Sequence, residues 1–286
     1  MKHYDIIIIG AGPGGIFAAY ELQKLDPSLK TAVFEAGHSL AQRRCPIDGK
    51  QVKACVNCKT CSIMSGFGGA GAFSDGKYNI TNDFGGTLHE HIGRQQALDL
   101  MKYVDTINMT HGGEGARLFS TAQTKYKKIC MQNGLKLLDA SVRHLGTDLN
   151  HVVLENLYKE LESCVDFYFD TPVQSIAGDE GGYRIFTKDE EYHCAKCIIS
   201  VGRSGSKWME KICEEMNIKT MSNRVDIGVR VELPAVIFSH LTDELYESKI
   251  VYRTKQFEDS VRTLLLSDPV LGDNGSLYSC FSEEFA

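Results

Sequence analysis

The first residues alternate between apolar runs and polar or glycine-rich breaks, in the order expected of a strand, a helix and a second strand. Residues 6–9 are consecutive isoleucines without polar alternation, which is typical of a central parallel strand covered on both faces. Apolar positions recur at helical spacing over residues 14–24, before Asp26 and Pro27, and residues 31–34 are apolar again. This order predicts a right-handed βαβ crossover of a doubly wound sheet.

Further along the chain, the pattern changes from an irregular stretch to helices and then to strands. Residues 37–86 are rich in Gly, Cys and Asp and show little periodicity, which indicates a long functional loop. Helices are predicted over residues 88–109, 115–131 and 149–161, with Val152, Val153, Leu157 and Leu161 of the last one facing inward. Strands are predicted over residues 165–169, 173–176, 183–187, 196–201 and 226–232, as a short β-meander, a buried strand and a further strand.

Length, net charge and the length of the first apolar run exclude some classes of protein but do not indicate a function. The chain has 286 residues, enough for one large domain or two ordinary ones. Its formal net charge of -6 argues against a nucleic-acid partner, because such binding needs clustered Lys and Arg. The apolar run at residues 6–9 is too short for a signal peptide or membrane span, so we expect a cytoplasmic protein without a membrane partner.

A glycine motif lies directly between the first predicted strand and helix. Gly10, Gly12 and Gly15 match the G-x-G-x-x-G pattern, with Gly14 in the same corner. In this context the first glycine permits a tight turn, the second admits a pyrophosphate and the third allows close helix packing, while the helix N-terminus attracts the anion. Glu35, at the end of the second strand, is placed to accept hydrogen bonds from ribose hydroxyls. These features predict a dinucleotide site.

Three other segments have both a binding and a purely structural interpretation. Arg43 and Arg44 suit a pyrophosphate, although solvated surface arginines are an equal alternative. The small residues around Gly69, in residues 66–77, fit an anion-binding nest or a surface against a flat ring, or else a flexible loop. A buried strand ends at Gly202, where open α/β sheets place ligands, although a plain strand-to-helix turn is the alternative.

The cysteines form an unusual cluster for a chain expected to remain in a reducing compartment. Cys55, Cys58 and Cys61 follow one another at two-residue spacing, and Cys45 lies upstream. Such a set could hold zinc or an iron–sulfur cluster, although its order matches neither pattern in full. A redox-active dithiol and simple structural thiols are the other two interpretations, and the sequence leaves all three open.

Together these motifs resemble the uncharacterised FAD-dependent dehydrogenases related to glutathione-reductase-like and hydroxybenzoate-hydroxylase-like flavoproteins. The segments that carry the resemblance are DIIIIGAGPGG (5–15), RRCPI (43–47), CVNCKTC (55–61), SGFGGAGAFSDGK (65–77), RHLGTD (143–148), VGRSGSKW (201–208) and DIGVRVE (226–232). The resemblance implies FAD held by Gly10, Gly12, Gly15 and Glu35, with Arg44 toward the pyrophosphate and the backbone of Val173 at the adenine. The resemblance does not identify a catalytic residue.

The resemblance also implies an organisation and an activity. We expect an α/β protein with a Rossmann-like FAD-binding domain over residues 1–88 and 150–215, containing a parallel central sheet and a β-meander. An incomplete α+β substrate or cap region is expected over residues 89–149 and 216–286. The resemblance fades after Thr263, and family members look longer, so we expect a truncated chain with weak cofactor retention; residues 271–273 only superficially resemble the family's Gly-Asp return motif.

The expected function is that of an oxidoreductase in which FAD carries electrons between a small-molecule substrate and a redox partner, with NAD(P)H as a candidate donor. Two other hypotheses remain at this stage. One is a non-catalytic fragment that binds a nucleotide, and the other is a metal-binding regulatory protein built around Cys45, Cys55, Cys58 and Cys61.

Overall fold

The computed structural model describes residues 1–222, 227–253, 260–267 and 276–283. Its strands are β1 Lys2–Ile9, β2 Thr31–Phe34, β3 Lys77–Ile80, β4 Leu118–Ser120, β5 Leu135–Leu137, β6 Ser141–His144, β7 Val165–Tyr168, β8 Ser175–Asp179, β9 Gly182–Phe186, β10 Glu191–Ile199, β11 Ile227–Pro234, β12 Glu247–Arg253, β13 Ser260–Ser267 and β14 Ser276–Glu283. Its α-helices are α1 Pro13–Leu25, α2 Leu88–Ile92, α3 Arg94–Asn108, α4 Tyr126–Gln132, α5 Gly146–Leu161, α6 Ser206–Glu215 and α7 Ser239–Leu245.

The chain divides into two compact units, each assembled from separate segments. Unit 1 contains Met1–Gly76, His111–Gly113 and Gly146–Met221. Unit 2 contains Lys77–Thr110, Glu114–Leu145 and the described residues from Ser222 onward. The main divisions between these units fall after Gly76, Leu145 and Met221. The sequence-based domain boundaries at residues 88, 150 and 215 stay predictions. In the described part of the chain, no helix has the length and apolar character needed to cross a bilayer.

Unit 1 is built on a six-stranded sheet with the order β7-β2-β1-β10-β9-β8. The first four strands in this order are parallel, since β1 pairs in parallel with both β2 and β10, and β2 pairs in parallel with β7. β8, β9 and β10 then follow one another as antiparallel neighbours. The predicted α/β class, with a parallel central sheet and a β-meander, is confirmed.

The isoleucines of β1 pack against both faces of the sheet. Ile7 and Ile9 belong to a buried cluster that includes Ile212 of α6. Ile8 points to the opposite face, where an added Cβ at Gly15 of α1 would meet its side chain at 3.3 Å. Because alternate strand residues point to opposite faces, a strand sandwiched between helices needs apolar residues at every position, as the sequence has here.

Unit 2 combines helices with antiparallel sheets, the α+β composition predicted for this part of the chain. One sheet has the order β11-β14-β13-β12-β5 and the other β3-β6-β4. Arg143 of β6 ties this second sheet to α3 through two hydrogen bonds to Asp105, at 3.0 Å from Nε and 2.7 Å from Nη2. Those bonds raise the pKa of Arg143 above its ordinary value, since they hold its charged form.

Two helix predictions in unit 2 and one facing prediction in α5 of unit 1 are wrong. The predicted helix over residues 88–109 is broken into α2 and α3 by Gly93, whose φ of 85° is incompatible with a continuous right-handed helix. Most of the predicted helix over residues 115–131 is absent, because Leu118–Ser120 pairs with β6 as β4 and only Tyr126–Gln132 is helical. Val152 of α5 is 40% exposed, whereas Val153, Leu157 and Leu161 are buried.

The strand predictions hold with shifted bounds. β2 and the second-half strands lie where expected, but β8 begins at Ser175 and β10 extends over nine residues, from Glu191 to Ile199. β11 covers most of the strand predicted over residues 226–232. Asp226 and residues 271–273 lie outside the described residues, as do residues 254–259.

Candidate functional site

A cleft of about 950 Å³ opens in unit 1 where three parallel strands end. Its walls include Gly10 after β1, Glu35 after β2, and Ser200 to Gly202 after β10. The carboxyl ends of neighbouring parallel strands lie at one edge of a sheet, which is where open α/β sheets bind their ligands. The volume lies at the upper end of the roughly 300–1,000 Å³ range of small-molecule and cofactor sites, so a long ligand can be accommodated.

The turn between β1 and α1 is closed by glycines that admit no side chain. Gly10 has a φ of 104°, and a Cβ there would collide with the backbone oxygen of Ser200. At Gly15 a Cβ would collide with the backbone oxygen of Gly10. A hydrogen bond of 2.7 Å from Gly10 N to Phe34 O fixes the turn against β2. These two glycines are therefore required by the protein's own packing.

Gly12 has a different role, because its free side faces open space. It is the N-cap of α1 with φ of -75° and ψ of -178°, and the nearest heavy atom to an added Cβ would be Gly69 Cα at 4.0 Å. Gly12 and Gly14 both line the cleft. Within the described chain, no side chain caps this helix end, so its first N–H groups and the positive end of the helix dipole remain available to an anion.

Glu35 is buried, 7% exposed, and its carboxylate points at the glycine corner. Oε2 accepts a hydrogen bond of 2.8 Å from Ala11 N, and Oε1 accepts bonds of 2.9 Å each from Gly37 N and Gly66 N. A carboxylate has about four lone-pair sites, so these three backbone donors leave one acceptor position on Oε2. Glu35 therefore holds the surrounding loops and lines the cleft with one acceptor position remaining.

Arg43 proves to be a buried organiser of the loop, a role that the sequence did not reveal. It is 3% exposed, and its guanidinium donates to four backbone oxygens at 2.7–2.8 Å: Ser62 O, Ile63 O, Phe67 O and Gly69 O. Burial lowers the pKa of Arg43, and the nearby charges of Glu35 and Cys61 partly offset this. A guanidinium has five donors in a fixed fork, so it can tie together carbonyls that a turn leaves unpaired.

Arg44, the arginine predicted to reach the pyrophosphate, is exposed and lies outside the cleft. Of these two adjacent arginines, Arg43 is buried and Arg44 is exposed to solvent. An irregular, glycine-rich loop leaves carbonyl oxygens that need donors, but two adjacent arginines give no signal in the sequence for which of them is buried. The role predicted for Arg44 stays a prediction.

The glycine-rich segment packs directly against the β1–α1 turn in the cleft wall. Gly68 N donates to Ala11 O at 2.8 Å, and Gly69, with a φ of 61°, would bring a Cβ within 3.2 Å of Gly12 Cα. Residues Gly69 to Phe73 form a short 3₁₀ turn, fixed to α5 by a bond of 2.9 Å from Asn150 Nδ2 to Gly71 O. The backbone of Gly69 therefore packs closely against Gly12 and the ring of Pro13.

The far side of the cleft contains the other predicted residues, Val173 and Gly202. Gly202 follows β10 and has open space where a Cβ would lie. Trp208, at the start of α6, also lines this side, and its indole Nε1 donates to Gln174 O at 3.2 Å. It is the only tryptophan in the chain and was not singled out from the sequence.

The four cysteines proposed as metal ligands are not assembled into a metal site. Cys58 and Cys61 are exposed and line the cleft, whereas Cys55 is exposed outside it and Cys45 is partly buried. Among the residues that the structure describes, no group of three or more His, Cys, Asp or Glu side chains is placed to hold a metal ion. The structure therefore separates the two thiols at the cleft from the rest of the predicted set.

Comparison with known proteins adds a distant likeness of fold. The chain matches no protein-family model and no curated protein. Glycine oxidase from Geobacillus kaustophilus has 13% identity, with 100% of this chain and 73% of that chain covered and a TM-score of 0.46. A variant of NikD, an amino acid oxidase essential for nikkomycin biosynthesis, has 11% identity, 99% and 71% coverage and a TM-score of 0.49. A flavoprotein/dehydrogenase from Cytophaga hutchinsonii has 13% identity, 99% and 56% coverage and a TM-score of 0.47. Similarity at this level assigns no function to the chain, and membership of the dehydrogenase family stays a prediction.

Proposed function

We propose that the chain is an FAD-dependent oxidoreductase that binds the adenosine diphosphate half of the cofactor in the cleft of unit 1. The observation that carries the proposal is the position of Glu35, buried at the end of β2 with Oε2 beside the backbone of the β1–α1 glycine turn. Adenosine diphosphate contains both a diphosphate, which would lie at that turn, and a ribose, which would lie at that carboxylate.

The residues present fit such a group. Gly12 and Gly69 both line the cleft, and the absence of a side chain at Gly12 leaves the cleft open beside the end of α1, where we place the diphosphate. The uncapped end of α1 offers N–H groups to its charge. The remaining acceptor position on Glu35 suits a ribose hydroxyl, and the same carboxylate would repel a 2′-phosphate.

Bound FAD would supply the two-electron chemistry, and the chain would bind it, orient it and shield it from water. Arg43 and Glu35 support this role indirectly, since each fixes loop backbone around the cleft through three or more hydrogen bonds. The substrate class remains open, and NAD(P)H is a candidate electron donor.

Trp208 provides a direct test, because the only tryptophan of the chain lines the cleft. Titration of the purified protein with FAD should quench its fluorescence in a saturable manner, through energy transfer to the flavin. FMN, which lacks the adenosine diphosphate half, should bind far more weakly. The variant Trp208→Phe leaves no tryptophan and is the blank for this signal.

Activity is tested separately, with FAD-loaded protein, NADH or NADPH as donor and a dye as acceptor. Dye reduction that requires FAD supports an oxidoreductase, whereas saturable FAD binding without turnover on any donor would favour a nucleotide-binding protein that is not an enzyme. Failure of FAD to quench Trp208 and to remain with the protein after desalting would overturn the whole proposal.

A further inference from the structure

Two basic side chains line the cleft of unit 1, and the proposed binding of FAD gives them no role. Lys59 lies in the loop that carries the cysteine cluster, and Arg203 follows Gly202 after the end of β10. Both side chains are exposed to solvent. Among the described residues neither has a carboxylate partner, whereas other exposed cations of unit 1 do, such as Lys159 with Glu155 at 2.9 Å. Two unpaired positive charges therefore face the same cleft.

The acidic side of the cleft does not neutralise these charges. Glu35 supplies the only carboxylate among the described residues that line the cleft. It already accepts three backbone hydrogen bonds, and its charge raises the pKa of Arg43, which burial lowers, so a positive charge already lies beside it. The cleft lining is thus net positive, although the whole chain has a formal net charge of -6. A cleft lined by charges of one sign raises the local concentration of small ions of the opposite sign.

The two segments that carry these cations meet at a pair of serines. Ser65 Oγ and Ser204 Oγ lie 3.5 Å apart, and Ser204 is the residue after Arg203. Ser65 N donates to Cys61 O at 2.9 Å, which fixes this contact to the turn that follows Lys59. Neighbouring parts of the cleft wall therefore carry the two cations. Their backbone is held by hydrogen bonds, while their long side chains can extend toward a ligand.

The geometry favours a substrate over the cofactor as the partner of these cations. We place the diphosphate beside Gly12 and Gly14, where the uncapped end of α1 offers backbone N–H groups. The exposed ends of Lys and Arg side chains instead remain in water until a ligand arrives. The planar fork of Arg matches a carboxylate or a phosphate, and Lys adds a point charge. The pair therefore suits a small anion that enters the cleft from solvent.

We propose that Lys59 and Arg203 bind the anionic group, a carboxylate or a phosphate, of the small-molecule substrate of this cleft. This assignment rests on the proposed function, since it names the class of compound that the bound cofactor would oxidise or reduce. The substrate is then a small organic anion. A neutral analogue of the same shape binds poorly, because the two cations would lose water without gaining a partner.

The test measures binding rather than turnover. Isothermal titration calorimetry at low ionic strength compares succinate, inorganic phosphate and neutral succinamide, with flavin-free and with FAD-saturated protein. Wild-type protein should bind an anion in both states and bind succinamide much more weakly. The tighter of the two anions distinguishes a carboxylate substrate from a phosphate. Lys59→Gln and Arg203→Gln should each weaken anion binding by roughly tenfold, as expected for the loss of one charge-assisted hydrogen bond.

Two neighbouring lysines provide matched controls. Lys53 and Lys207 are exposed and lie close in the chain to Lys59 and Arg203, but neither lines the cleft. Lys53→Gln and Lys207→Gln should bind the anion like wild type. All four variants replace exposed side chains, so each should unfold at the same urea concentration as wild type. They should also retain the wild-type affinity for FAD.

Three results would overturn the proposal. The first is wild-type anion affinity in both Lys59→Gln and Arg203→Gln, and the second is succinamide binding as tight as that of succinate and phosphate. The third is loss of anion binding on saturation with FAD, together with weaker FAD binding in both variants, since the cations would then serve the diphosphate. Anion binding to flavin-free protein that depends on both cations supports the proposal even if the Trp208 titration fails, so this test is distinguishable from that of the proposed function.

Discussion

Replacement of Gly12 by alanine separates the folding of the glycine corner from its ability to bind a ligand. The φ of -75° and ψ of -178° at Gly12 are accessible to alanine, and the nearest heavy atom to the new methyl group would be Gly69 Cα at 4.0 Å. Alanine is a poorer N-cap than glycine by up to about 1 kcal/mol, but it lowers the entropy of the unfolded chain by a comparable 0.4–1 kcal/mol. We therefore expect the free energy of unfolding without ligand to change by less than about 1 kcal/mol.

Ligand binding should respond differently, because Gly12 lines the cleft and the added methyl group would occupy part of the space beside α1 that we assign to the diphosphate. Overfilling a closely packed site costs about 1–3 kcal/mol. At 1.4 kcal/mol per tenfold, this weakens FAD binding by roughly 5- to 140-fold. The assay is the Trp208 fluorescence titration with FAD, accompanied by urea unfolding of the protein without ligand.

Gly178→Ala is the matched control for this experiment. Gly178 lies in β8, outside the cleft, and an added Cβ there meets nothing within 4 Å. It should leave FAD affinity unchanged. A Gly12→Ala protein that unfolds like wild type and binds FAD with wild-type affinity would refute the placement of the diphosphate beside Gly12.

Three further predictions concern charged side chains. Glu35→Gln places an amide N–H₂ against backbone donors, so at least one buried N–H loses its acceptor. Urea unfolding should show a free energy of unfolding lower by about 1–3 kcal/mol, and FAD affinity should fall as well. Unchanged stability would contradict the hydrogen-bond arrangement. Arg43→Ala removes the donor of four carbonyl oxygens and should lower the free energy of unfolding in urea by more than about 3 kcal/mol. Arg44→Ala, at an exposed position, should change it by less than about 0.5 kcal/mol. Equal losses would show that Arg43 is not the organiser of the loop. Asp105→Asn weakens the two bonds to Arg143 in unit 2 and should lower the free energy of unfolding by about 2–3 kcal/mol, and a variant as stable as wild type would show that this pair contributes nothing.

The βαβ opening could be predicted from the sequence because its signals are local. The isoleucines of β1, the glycines after it and the bounds of β2 each follow from residues close together in the chain. Residues 115–131 could not be predicted in the same way, since Leu118–Ser120 becomes a strand only by pairing with β6 more than twenty residues later. Tertiary pairing overrides local helix preference in such segments.

The candidate site shows the same limit. Glu35 was predicted from its place at the end of β2, and the structure puts it beside the glycine turn. Arg43 and Arg44 are identical in type and adjacent, so only the fold of the loop decides which one is buried. The cysteine spacing was compatible with three chemistries, and only the placement of Cys58 and Cys61 in the cleft wall distinguishes these two thiols from Cys55.

The fixed loop around Arg43 has a consequence for how a cofactor would arrive. The wall of the cleft is held by hydrogen bonds within the protein itself, from Arg43 to carbonyl oxygens and from backbone amides to Glu35. A receptor shaped in advance spends little of its interaction energy on ordering its own loops. Loading and unloading should then proceed by simple one-step association, with on-rates that do not level off as the cofactor concentration increases.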